Sequence, residues 1–219
     1  MGKVKEINVN ESQHQSFSKN VFINCPFDDE YIPLLRPLLF TLIYLGYNPR
    51  IASERFDSAE QRIVKICGLI QASRFSIHDL SRTSARRRNE IYRLNMPLEL
   101  GIDYGCRLFK GGETNNKTLL IFEQKPCALH SALSNLSGVD VKAHGSKPEK
   151  VVREVRNWFV TNELGTAASP STIWDNFNEF MTDFYQKREN EGFTDEDLQM
   201  MPIPEYVKFI REWLSRGAI

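Results

Sequence analysis

Glu99 is the residue in this chain whose type and position most invite chemistry. It stands between Leu98 and Leu100, just after Pro97, in a stretch that reads as the opening of a helix. A carboxylate in a first helical turn is favoured in its ionised form by free N–H groups and the helix dipole. Such a group near a crevice could face a ligand, and the ordinary alternative is a first-turn Glu facing solvent. Two other polar segments follow strand-like runs: Asn24 to Asp29, and His78 to Arg82. A basic stretch, Arg82, Arg86, Arg87, Arg88 and Arg93 with only Glu90 opposing, could grip a pyrophosphate or be a solvated loop. Cys25 would need a base such as His78 to act as a nucleophile. His78 reads more simply as a strand residue with a satisfied ring.

Positioning these groups requires alternating elements. Val21-Phe22-Ile23-Asn24-Cys25-Pro26 reads as a first strand, followed by a Leu-rich helix that Gly46 stops and that Pro37 delays or kinks. Residues 49–53 form a second strand, and Ser58 to Gln61 matches a capping box for a helix carrying Ile63, Ile66, Cys67 and Ile70. Residues 74–80 form a third strand, and Thr118 to Phe122 a fourth, buried on both faces. A short helix over 130–136, a fifth strand over 139–144 and a helix opened by Pro148 complete the pattern. This order predicts an α/β fold, a flavodoxin-like doubly wound parallel five-stranded sheet with a C-terminal helical extension. The expected organisation is a leader over 1–19, an α/β domain over 20–164 and helices over 171–219. Two aromatic-rich stripes there, from Trp174 to Tyr185 and from Ile203 to Leu214, must be buried. They pack on the body or serve a homo-oligomer or an activating partner. In such a sheet, ligands bind beyond the C-terminal strand ends where strand order reverses, and the polar segments converge there.

The bulk composition narrows the partners. Lys+Arg and Asp+Glu both number 28, so no global pull toward nucleic acid or membrane is expected. No apolar run reaches the ~18–20 residues of a membrane span, and the N-terminus lacks a signal-like apolar core. Cys25, Cys67, Cys106 and Cys127 form no C-x-x-C pair, and the four His residues lack metal-ligand spacing. A cytoplasmic location with reduced thiols follows as the expectation.

Asn95-Met96-Pro97-Leu98-Glu99-Leu100-Gly101, with Tyr104-Gly105 a turn later, resembles the N-x-x-x-E-L-G motif of the TIR-like and nucleoside 2-deoxyribosyltransferase-like superfamily. Val21-Phe22-Ile23-Asn24 with Phe27-Asp28-Asp29 looks like its opening strand, and Ile77-His78-Asp79-Leu80-Ser81 resembles its third. The likeness spans about residues 20–160. Arg107 stands beyond Cys106 where the family has Lys after Gly. The resemblance implies cleavage of an N-glycosidic bond in NAD or a related nucleotide, with NAD as substrate, no cofactor and no metal. Glu99 would be the catalytic carboxylate, stabilising a cation-like ribose or forming a ribosyl ester. Asp79 would bind a sugar hydroxyl, and Asn24, Phe27, Asp28, Arg82 and Asn95 would help hold the substrate. Members often act as bacterial antiviral effectors. A non-catalytic nucleotide-sensing module or a TIR-type interaction adaptor are the alternatives.

Overall fold

The computed structural model describes residues 16–54, 56–82, 94–126 and 138–217. Five strands, β1 (Asn20–Asn24), β2 (Asn48–Ile51), β3 (Phe75–Asp79), β4 (Thr118–Glu123) and β5 (Val141–Ala143), form one sheet in the order β2-β1-β3-β4-β5. Every pairing is parallel; Ile23, for example, lies opposite Ile51 on one side and Ile77 on the other. This is the doubly wound order expected from the alternation of elements, with the reversal between β1 and β3. β1 and β3 are buried at every residue, which is why they read as unbroken apolar runs rather than alternating ones.

The helices are α1 (Ile32–Tyr44), α2 (Arg62–Gln71), α3 (Asn95–Phe109), α4 (Pro148–Phe159), α5 (Pro170–Asn190), α6 (Asp195–Gln199) and α7 (Ile203–Arg216). A 3-10 turn over Gly112–Asn116 precedes β4, and a π turn over Val160–Leu164 ends α4. The chain divides into two compact units. The first holds the sheet with α2 and α3; the second holds α1 and α4 to α7.

In the first unit, Ile66, Leu69 and Ile70 of α2 pack with Phe22 and Ala52, and Ile102 and Cys106 of α3 join them. Met96 and Leu100 of α3 pack with Leu80 and Ile121. The inner face of α3 is therefore Met96, Glu99, Leu100 and Asp103, two carboxylates among apolar neighbours.

In the second unit the aromatic stripes pack on one another and on α1, with Phe177, Phe180, Phe184 and Tyr206 buried and Trp174, Tyr185 and Trp213 half-buried. The Phe40 ring on α1 lies 5.6 Å from Phe177 and 5.5 Å from Phe180 on α5, and Phe184 lies 5.4 Å from Tyr206 on α7. Arg36 of α1 donates to the Tyr185 hydroxyl at 3.0 Å and to the Leu198 carbonyl, with its guanidinium 5.1 Å from the Tyr206 ring. α1 begins at Ile32 and continues past Pro37, so its start is not delayed to that residue, and the Leu45–Gly46 cap closes it, with Gly46 at φ +81°.

Three local expectations are corrected. Helix α2 begins at Arg62 behind Gln61 with no side-chain cap; Asp57 Oδ1 takes the Ala59 N–H in a tight turn, so Ser58 forms no capping box. β2 and β5 start one residue earlier and two residues later than their patterns suggest. Helix α3 starts at Asn95, ahead of Pro97, which places Glu99 in its second turn rather than its first. The short helix expected over 130–136, and Arg86, Arg87, Arg88, Arg93 and Cys127, lie outside the described residues. Among the described residues, no helix is long and apolar enough to cross a membrane.

Candidate functional site

A buried polar ladder runs beneath α3 from the C-terminal ends of β1 and β3. Asn24, the last residue of β1, spends both amide hydrogens inside the protein. One goes to the Met96 carbonyl at 2.9 Å, the other to His78 Nδ1 at 3.0 Å. Because Nδ1 must accept, the partners assign His78 the neutral Nε2–H tautomer. Nε2 then donates to Asp103 Oδ2 at 3.0 Å. The other oxygen, Oδ1, pairs with Lys117 Nζ at 3.1 Å, with both side chains fully buried. Lys117 directs its remaining donors to the carbonyls of Ile70 and Ser73, the open C-terminal end of α2. A cation there satisfies orphan carbonyls and complements the helix dipole.

The electrostatics follow from this geometry. Burial alone would push the Asp103 carboxyl upward. The hydrogen bond from His78, the Lys117 ammonium and the Ser76 hydroxyl outweigh it and hold the group below the usual Asp range. Burial pushes Lys117 downward from the usual Lys value, and Asp103 opposes that shift. The pair is a buried ion pair with most of its hydrogen-bonding capacity used, the condition under which such a pair is tolerated.

Glu99 lies one turn before Asp103 on the same face, only 5% exposed. Burial raises its carboxyl above the usual Glu value, and the charge of Arg62, the first residue of α2, works against the rise. This corrects the expectation that free helix N–H groups would favour its ionised form. In the second turn those groups are already bonded within the helix, so desolvation dominates. A buried carboxyl raised above the usual range is suited to proton transfer, and in its ionised form to stabilising a developing positive charge.

The remaining expected residues are placed as follows. Asp79 ends β3 almost fully buried, and its Oδ1 accepts the Ser81 N–H at 2.8 Å, closing the turn out of the strand. Arg82 is half-buried at the end of that turn, and Asn95 is exposed as the first residue of α3. Phe27 and Asp28 open the second unit. Phe27 is 42% exposed, and the Asp28 carbonyl accepts the Tyr31 N–H at 2.8 Å. Cys25 is buried. The first unit therefore joins Asn24 to His78 and to the first turn of α3, with Asp79 next to His78 at the end of β3 and Glu99 on the inner face of the same helix. A cleft of about 540 Å³ lies instead in the second unit between α5 and α7, lined by Phe180, Asp183, Arg188 and Trp213, and it contains none of the expected site residues.

No family model matches the chain, and no curated protein or solved structure matches it at a significant level.

Asp103 and Lys117 were missed by sequence reasoning. Asp103 carried a readable signal: it falls four residues after Glu99 on a face otherwise made of Met96 and Leu100, a charge where an amphipathic helix should be apolar. Lys117 carried none, since a Lys before a strand looks like any solvated loop cation. Among the described residues, no cluster of His, Cys, Asp and Glu could hold a metal ion.

Proposed function

We propose that the chain is an N-glycosidase acting on the base–ribose bond of NAD or a related nucleotide, with Glu99 as its catalytic carboxylate. One observation carries the reading. Glu99 is withdrawn from water on the inner face of α3, and the first turn of that helix is tied through Met96 to Asn24, at the point where strand order reverses. As the base departs, C1′ of the ribose becomes cation-like. A desolvated carboxylate there stabilises that charge more strongly than one in water, or captures the sugar as an ester that water then cleaves. Arg62 works in favour of the ionised form against the burial that raises the carboxyl. The half-buried Arg82 at the exit of β3 supplies a cation for the phosphates. An antiviral effector role belongs to the family resemblance and rests on it alone.

The second reading is a nucleotide-sensing or TIR-type adaptor module without turnover. It draws on the commitment of the Asn24 amide hydrogens and of Asp79 Oδ1 to the scaffold, which leaves fewer groups to grip a substrate. Incubating the purified protein with NAD and with nucleosides, then separating free base by chromatography, decides between them. Release of base by the wild type, abolished in Glu99→Gln with an unchanged circular dichroism spectrum, supports turnover at this residue. Undiminished release by Glu99→Gln refutes it. Binding without release favours the sensing module.

A further inference from the structure

Helix α3 has an outer face as distinctive as its inner one. Leu94, Leu98, Gly101, Gly105 and Leu108 recur at alternating spacings of four and three, the seam of a helix that packs against another helix. The seam is uncovered. Leu94 is 67% exposed, Leu98 and Leu108 are more than half exposed, and Phe109 and Tyr104 flank it at 85% and 43%. These five side chains present on the order of 600–700 Å² of surface, close to the ~800 Å² each partner gives to a standard-size interface. Such an area exceeds the isolated apolar residues that ordinary surfaces carry.

The two glycines are unexplained within the chain. Glycine at mid-helix weakens a helix relative to alanine, so it needs a reason. A Cβ built on Gly101 meets nothing within 4 Å, and one on Gly105 meets only the Phe109 ring at an ordinary 3.8 Å. Among the described residues, no neighbour therefore requires either to be small. A helix approaching from outside does.

We infer that this face binds a second copy of the chain, α3 against α3, antiparallel about a two-fold axis through Gly101. Three observations select that occupant. The pattern is self-complementary: a two-fold at Gly101 sets Leu94 of one copy against Leu108 of the other and Leu98 against Tyr104. Gly101 then meets Gly101, where only hydrogen lets the backbones close. The outward residues Leu94, Leu98, Gly101, Tyr104, Gly105 and Leu108 carry no charge, whereas the helix's two acids, Glu99 and Asp103, both point inward. On an isologous contact a charge near the axis faces its own copy, so an uncharged seam suits self-association. The exposed area also matches what such a contact needs. The inference does not depend on the glycosidase reading, although it places Glu99 on the inner face of the helix whose outer face would be clamped.

Sedimentation equilibrium from about 1 to 100 μM spans the weak end of the affinities that contacts of this size reach. The wild type is expected to associate to a dimer in that range. Gly101→Arg adds a side chain with open space around it in the single chain, so the fold should hold, but it sets two guanidinium groups on the axis. Association should weaken at least tenfold, with an unchanged circular dichroism spectrum; Leu98→Lys should do the same. Gly101→Cys should form an inter-chain disulfide under mild oxidation, beyond any formed by the native cysteines. A wild type that stays monomeric across the range, or a Gly101→Arg protein that associates as tightly as wild type, overturns the inference. A dimer in which Gly101→Cys does not cross-link overturns the antiparallel register.

Discussion

Asp103→Asn is the substitution that most directly tests the buried ladder, because it changes a charge and almost no volume. In the wild type the Asp103 carboxylate accepts from His78 Nε2 at 3.0 Å and faces Lys117 Nζ at 3.1 Å, with both partners fully buried. The amide keeps an acceptor for one of these donors and turns its own N–H groups toward the other. Lys117 is then a buried ammonium with no countercharge, held only by the carbonyls of Ile70 and Ser73. Removing one partner of a buried pair typically costs about 3–5 kcal/mol. The stability of a whole domain is only about 5–15 kcal/mol. With a urea slope of roughly 1–3 kcal/mol/M, the unfolding midpoint should fall by about 1–5 M. Urea titration followed by far-ultraviolet circular dichroism measures it. Lys117→Met should be similarly damaging alone, and the double variant should cost less than the sum of the singles by about 1–3 kcal/mol, since neither charge is left orphaned. The wild-type advantage should also depend on acid. The folded pKa of Asp103 lies below its unfolded value of 3.8, so its contribution is present above that value and is lost as pH falls through the folded pKa. A midpoint loss under 0.5 M for Asp103→Asn, or strictly additive singles, would mean that Asp103 and Lys117 are not a coupled buried pair and would refute the reasoning above.

Three further outcomes follow from the same geometry. Glu99→Gln should raise stability at neutral pH while removing any base release. Its folded pKa is raised above 4.5, so wild-type stability falls as pH climbs from the unfolded to the folded value, and the advantage of Gln should vanish below about pH 4. Denaturation midpoints at pH 4 and pH 7 check the sign. Arg62→Ala should move the Glu99 titration further upward, readable by carbon NMR of the side-chain carboxyl, because Arg62 is the charge opposing its burial. In the second unit, Arg36→Ala removes the bonds to Tyr185 and Leu198 and the contact with Tyr206. It should destabilise by about 1–3 kcal/mol in a thermal or urea melt.

The linear chain determined the kind of fold and most of its parts. Runs such as Val21-Phe22-Ile23 and Thr118-Leu119-Leu120-Ile121-Phe122 read as buried strands because a parallel strand covered on both faces has no polar side to show. Alternation with amphipathic segments leaves a doubly wound sheet as the economical way to bury them. Gly46 and Pro148 marked helix ends because their backbone preferences act locally, wherever they fold. Tertiary structure decided the matters that depend on partners distant in sequence. The upward shift of the Glu99 carboxyl turned on its depth, opposed by Arg62 thirty-seven positions earlier. The role of Asn24 turned on Met96 and His78, and that of Lys117 on Asp103 and the end of α2. The aromatic stripes announced that they must be buried, but only packing against α1 showed by what. Local propensity is written residue by residue, whereas desolvation and charge pairing exist only once the chain has brought remote side chains within a few ångströms of each other.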